Sequence, residues 1–279
     1  MKELEQIAIE VRKKLLQNIV HAGGGHTGGS LSSVDILVAL YFEVMNIDPQ
    51  HPEMQGRDRF IMSKGHSVES YHAVLSKRGF FSEEVLDTYG DFNSILAGHP
   101  TRKVPGIEVN SGALGHGLSV GVGMALAAKR SGTVCRAFVL MGDGEHGEGS
   151  IMEAAAAAGH YHLDNLVAII DRNGLQISGK TEEVLAIENL EAKYQACGWS
   201  VRSCNGHDLK ELTTILRDTP FETGKPSFLI AHTVKGKGVS FIEDKAGWHH
   251  KVPSEEQLKQ AMEELNLTLK RKKDEHYSL

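Results

Sequence analysis

The sequence has few cysteines, no concentrated positive charge and no long apolar run, and each shortage removes a class of protein. Cys135, Cys197 and Cys204 form an odd, sparse set without CxxC spacing. That speaks against a disulfide framework or a zinc site and leaves them as reduced packing residues. Lys and Arg number 30 against 36 Asp and Glu, a net charge of −6. This is the wrong sign for a nucleic-acid binder, which must neutralise phosphates. Apolar stretches such as 137–141 and 166–170 fall far short of the ~18 residues that cross a bilayer, so no transmembrane helix is expected. Residues 1–17 interleave charge with apolar side chains, where a secretory signal has a basic head and a continuous apolar stretch, so a cytoplasmic location is expected. No internal repeat and no Pro/Ser linker is found, and 41% hydrophobic with 24% charged residues is globular usage that excludes disorder.

Glycine is in excess, at 30 of 279 residues against an average of about 7%. It is gathered at 23–29, 112–123 and 142–149. Clustered glycine marks loops where backbone comes close to something else. Histidine is also abundant, at 15, and His26, His66, His99, His116 and His146 sit in or beside such loops.

Helical spacing of Leu4, Ile7, Ala8, Val11, Leu15 and Ile19 predicts an amphipathic helix over 3–21. Ser32 or Ser33 is expected to cap a second helix, with Asp35 in its first turn. Short apolar runs at 59–63, 136–141, 166–170, 199–203 and 227–233 read as buried strands, separated by helical stretches at 121–129, 151–158 and 187–197. Strands alternating with helices imply an α/β fold, a mostly parallel sheet with helices on both faces. One domain over 1–279 is expected. From about 254 it becomes a charged helical tail, with the basic run 270–273 as a solvated end.

Ligands of open α/β sheets sit beyond the carboxyl ends of the strands. There the chain places Gly142-Asp-Gly-Glu-His-Gly147 and Asp171-Arg-Asn-Gly174. The first is formally a dinucleotide loop, with Asp171 as the candidate ribose ligand about 20 residues on. Asp143, Glu145 and Glu148, however, would crowd a pyrophosphate with negative charge unless a cation intervenes. A divalent metal resolves this, because Mg²⁺ takes carboxylate and amide oxygens together with ligand phosphates. Asp143 and Asn173 supply such oxygens, and the helix starting near Gly149 turns its positive end toward the phosphates.

Gly142-Asp-Gly144 followed by Asn173 resembles the thiamine-diphosphate signature, and the surrounding motifs are similar to those of transketolase. These are Gly25-His-Thr-Gly28, Ser63-Lys-Gly-His66, Gly98-His-Pro100, Gly112-Ala-Leu-Gly-His-Gly117, Ile170-Asp-Arg-Asn173 and Val234-Lys-Gly-Lys-Gly238 followed by Trp248-His249. The resemblance runs from about residue 19 to 253 but covers only the first half of an ordinary transketolase, its diphosphate-binding domain. It therefore implies the N-terminal subunit of a split enzyme transferring a two-carbon ketol unit from a ketose phosphate to an aldose phosphate. A C-terminal subunit with a pyrimidine-binding domain is the implied partner, in a hetero-oligomer such as a heterotetramer. The implied cofactors are thiamine diphosphate and Mg²⁺ or another divalent cation.

By the same resemblance, Asp143, Asn173 and the Leu175 carbonyl hold the metal, and Gly112, Leu114, Gly144, Asn173, His66 and His249 contact the coenzyme. His26 and His99 hydrogen-bond substrate hydroxyls, His66 and His249 face the reacting centre, and Glu148 links the two coenzymes of the assembly. Glu148 also reads simply as charge at a helix N-terminus. His250, next to His249, competes for its role, whereas His72, His160, His162, His207 and His232 carry no motif and read as packing or surface residues. Lys64 and Lys235 match positions near a substrate entrance, though a lysine after a strand reads first as solvated. Where the family has Gly-Gln-Gly this chain has Gly115-His116-Gly117, which leaves the donor sugar open. The alternatives are a deoxyxylulose-phosphate-synthase-like enzyme, a nicotinamide oxidoreductase using the glycine loop, and a non-catalytic scaffold subunit.

Overall fold

The computed structural model describes residues 1–274, with side chains to Arg271. Its centre is a five-stranded sheet of β1 (Arg59–Met62), β2 (Ala137–Gly142), β3 (Leu166–Arg172), β6 (Ser200–Asn205) and β7 (Ser227–His232), in the order β1-β2-β3-β7-β6. Every pairing is parallel. All five strands fall within two residues of the expected runs. β4 (Leu175–Gln176) and β5 (Gly179–Lys180) form a separate antiparallel hairpin that no apolar run announces.

The period of two along each strand divides the core into two layers. Phe60, Phe138, Leu140, Val167, Ile169 and Leu229 face one side, where α1 (Lys2–Ala22), α2 (Thr27–Ala39), α3 (Val68–Arg78) and α9 (Leu209–Arg217) supply Leu15, Ile36, Val74 and Leu212. Ile61, Val139, Met141, Ala168, Ile170 and Phe228 face the other, against α5 (His116–Ser131), α6 (Gly149–His160) and α8 (Leu190–Ala196). A sheet covered on both faces must be apolar on both, which is why β2 reads AFVLMG and is buried throughout. Short helices α4 (Glu83–Leu86) and α7 (Thr181–Val184) lie in connections, and α10 (Glu255–Asp274) ends the described chain.

Two expectations need correction. Ser32 and Ser33 cap nothing: α2 begins at Thr27, and both hydroxyls bond back to the Gly29 carbonyl inside the helix. Gly28 and Gly29 had weakened the helical signal there, but burial of the entire helix outweighs propensity. The expected charged tail is also no loose appendage, because Ala261 and Leu265 of α10 are buried in the first core layer. Lys270 and Arg271 are exposed, while the side chains from 272 and all of 275–279 lie outside the described residues. Among the described residues no helix is long and apolar enough to cross a membrane.

Because the strands run parallel, the segments 63–66, 142–147, 172–176 and 233–238 all leave the sheet at one edge. The cleft opens there.

Candidate active site

A cleft of about 380 Å³ at that edge is lined by His26, Gly29, Lys64, His66, Gly112, Leu114, Asp143, Gly144, Asn173, Leu175, Lys235 and His249, among others. Residues far apart in sequence converge because each follows a strand or begins a helix.

Asp143 closes β2 and is 2% exposed. One carboxylate oxygen accepts from the Gly144 N–H at 2.9 Å, the other from the Gly174 N–H at 2.6 Å, with Arg172 at 3.3 Å. Burial, then the nearby Asp171, pushes its carboxyl above the usual range, as expected where a cation suits the site. Asn173 and the Leu175 backbone follow on the next strand, with Asn173 Oδ1 accepting the Leu175 N–H at 3.1 Å. Among the described residues no group of three His, Cys, Asp or Glu side chains could hold a metal. A metal here therefore draws on one carboxylate, amide and carbonyl oxygens, and oxygens of its ligand, the set that fits Mg²⁺. Gly144 lies flat against the β4–β5 hairpin, since a Cβ there would stand 2.9 Å from Gln176 Cβ. Its N–H, expected to face a phosphate, is bonded to Asp143.

The lysines are not solvated as first expected. Lys64 is 1% and Lys235 2% exposed. Lys64 Nζ pairs with Asp171 and donates to the Gly29 carbonyl at 3.0 Å. Asp171 is fully buried, also accepts from Ser32 at 2.6 Å and from Thr233, and so cannot serve as a ribose ligand. Lys235 Nζ donates to His249 Nδ1 at 3.0 Å. Burial, then the Lys64 charge, lowers the Lys235 ammonium to about 8.

At the other end stand the imidazoles. The His26 ring lies 5.3 Å from His66, 5.5 Å from His249, 6.1 Å from His99 and 4.6 Å from His250. Burial lowers His26 to about 4, His66 to about 2 and His249 to about 3, with neighbouring lysines and histidines adding to the shift. All three are neutral near pH 7, able to give or take a proton. Of the adjacent pair, His249 lines the cleft, while His250 and the exposed His99 border a neighbouring hollow of about 340 Å³ that also contains His26. Gly112 has φ +137°, and a Cβ there would stand 2.7 Å from the His99 ring.

Some expected residues lie elsewhere. Glu148 is exposed at the start of α6 and is not among the residues lining the cleft. Glu145 does not crowd the ligand side with free charge: it is buried, accepting from Ser63, the Gly115 N–H at 2.8 Å and the Gly142 N–H at 3.1 Å. His116 is exposed at the start of α5, its Nδ1 3.1 Å from the Leu114 carbonyl.

Sequence reasoning missed two buried anchors. Glu69 accepts the His26 backbone N–H at 3.0 Å. His207, read as packing, bonds Asp35 through Nδ1 at 2.7 Å and accepts the Val234 N–H at Nε2 at 2.8 Å. It thereby joins the Arg12–Asp35 ion pair to the loop of Lys235. The only signal was a polar residue inside an otherwise apolar helix or beside a turn.

A model of the family described as "Transketolase, thiamine diphosphate binding domain" matches residues 4–272. One of the two subunits of an apulose-4-phosphate transketolase, from Phocaeicola vulgatus, is 54% identical over 255 residues, covering 91% of each chain. A 6-deoxy-6-sulfo-D-fructose transketolase subunit of a Clostridium species is 42% identical over 94% of this chain and 96% of its own length. Transketolase from Campylobacter jejuni superposes with a TM-score of 0.90 at 31% identity, covering 95% of this chain but 43% of that one. The chain thus spans less than half of that solved enzyme and nearly the full length of the subunit relatives. These findings disfavour the nicotinamide oxidoreductase, synthase-like and scaffold alternatives, the first also because Asp171 is sealed in an ion pair.

Proposed function

The chain belongs to the transketolase thiamine-diphosphate-binding family, and from that premise we propose that it is the diphosphate-binding subunit of a two-chain transketolase. Its partner is a second chain carrying the pyrimidine-binding half, in a hetero-oligomer such as a heterotetramer. The assembly moves a two-carbon ketol unit between sugar phosphates of the pentose-phosphate type in the cytoplasm. The observation that carries this reading is that Asp143, Asn173 and Leu175 line the same cleft as His26, His66 and His249.

When bound, thiamine diphosphate supplies the nucleophilic carbon that breaks and makes the C–C bond, and Mg²⁺ neutralises its diphosphate. Asp143, Asn173 and the Leu175 carbonyl hold the metal. Lys235 and the backbone about Gly144 present positive charge to the diphosphate, while Gly112 and Leu114 pack against the coenzyme. His66 and His249 face the reacting centre. Lys235 donates to His249 Nδ1, which leaves Nε2 carrying the ring proton and able to give it. His26 and His99 take hydrogen bonds from substrate hydroxyls, and the neutral His26 ring exchanges protons without a change of net charge. Glu148, outside the cleft, is assigned to the contact between coenzyme sites in the assembly.

The test is reconstitution. The chain alone, supplied with coenzyme and Mg²⁺, turns over neither apulose 4-phosphate nor 6-deoxy-6-sulfo-D-fructose, and adding the pyrimidine-half chain produces ketol transfer from one of them. Full transfer by the isolated chain contradicts the reading.

A further inference from the structure

Glu69 sits on α3 one turn beyond His66 and is 2% exposed. Its carboxylate accepts three hydrogen bonds, all from uncharged donors: the His26 backbone N–H at 3.0 Å, the Tyr89 hydroxyl at 3.0 Å and the Ser30 hydroxyl at 2.6 Å. Burial raises its carboxyl while these bonds pull it down. The other buried acids near the cleft are used differently, Asp171 pairing with Lys64 and Asp35 with Arg12. A buried carboxylate ringed by neutral donors is costly to make and costly to disturb, because each donor deprived of it is left unpaired.

The donors belong to the two walls of one hollow. His26 and Tyr89 both line the space of about 340 Å³ beside the cleft, with Gly98, His99 and His250. The chain before His26 is pressed onto the same carboxylate, since a Cβ on Gly25 would stand 2.7 Å from Glu69 Oε1. We infer that Glu69 is a positioning residue that sets the shape of this hollow, fixing His26 on one wall and Tyr89 on the other. The hollow takes the hydroxylated chain of the sugar, an assignment that rests on the transketolase reading.

Three variants test this. Glu69→Met fills the space but offers no acceptor. Glu69→Gln keeps an oxygen for His26 and Tyr89 and turns its amide N–H to the Ser30 hydroxyl. Tyr89→Phe removes a single hydroxyl. In the isolated chain, amide exchange of residues 25–30 speeds up about tenfold in Glu69→Met. It stays near wild type in Glu69→Gln, while residues 142–147 are unchanged in both and the affinity for thiamine diphosphate with Mg²⁺ moves less than about twofold.

In the assembled pair, Glu69→Met and Tyr89→Phe raise the KM for whichever of the two donor sugars the wild-type pair uses, and Glu69→Gln restores it. Faster exchange spread equally over 142–147, or KM values unmoved in Glu69→Met and Tyr89→Phe, overturns the inference. If Glu69→Met does not fold, Tyr89→Phe decides by the same KM reading. A wild-type pair without ketol transfer sinks the functional reading instead, and amide exchange still decides the role of Glu69.

Discussion

The two ends of the cleft are built on different electrostatics. At the Asp143 end buried charges stand beside opposite charges, Lys64 with Asp171 and Arg172 beside Asp143. At the His26 end the rings are neutral, and their anchor Glu69 is satisfied by uncharged donors. The first arrangement suits an ionic ligand held in place. The second suits groups that pass protons while the local charge stays constant. One sheet edge serves both because parallel strands deliver loops of unlike chemistry to the same place.

The sharpest way to break this contrast is at the charged end. Lys64→Met leaves Asp171 buried without its cation, and urea unfolding of the chain should show a loss of about 3–5 kcal/mol. A loss under ~1 kcal/mol would mean that Ser32 and Thr233 alone satisfy that carboxylate. Next in size, Asp143→Asn in the reconstituted pair should lower coenzyme affinity at least about a hundredfold, since removing a metal ligand costs no less than disturbing the shell around it. Equal affinity would move the metal elsewhere.

A smaller effect separates the ends by pH. Lys235 loses its proton as pH rises through about 8, so coenzyme binding should weaken between pH 7 and 9 by up to about tenfold. His26, His66 and His249, at about 4, 2 and 3, take up no proton over that range. A dependence that persists in Lys235→Met would assign it to another group.

The smallest effect lies at His72, behind the His26 end. It is 1% exposed, and both ring nitrogens lack a partner among the described residues. Burial lowers it to about 3. The unfolded chain therefore binds a proton below about pH 6.5 that the folded chain refuses. Its contribution to stability is complete above that pH and lost as pH falls toward 3. His72→Phe should raise stability at pH 5.5 by about 1 kcal/mol and flatten the acid slope. An unchanged slope would mean the ring has a partner.

How far the sequence announced each end follows the same division. Asp143 and Asn173 were legible from chemistry alone, because carboxylates crowding a glycine loop demand a cation. The five strands were legible because a sheet covered on both faces must be apolar in short runs. His26, His66, His99 and His249 were legible only through motif resemblance, since a lone histidine has no spacing rule of its own. Glu69 and His207 were illegible, as their roles depend on packing that joins α3 to α2 and α9's preceding turn to the loop after β7. The start of α2 was misplaced because its glycines obey a tertiary demand and not a helical one.

The claim on which the rest depends is that this cleft binds thiamine diphosphate through a metal held at Asp143 and Asn173. Calorimetric titration of the coenzyme into the chain paired with its partner tests it most directly. The account predicts binding with Mg²⁺ present and its loss when a chelator removes divalent cations. Binding of equal strength without any divalent cation, or none with Mg²⁺ in excess, would contradict it.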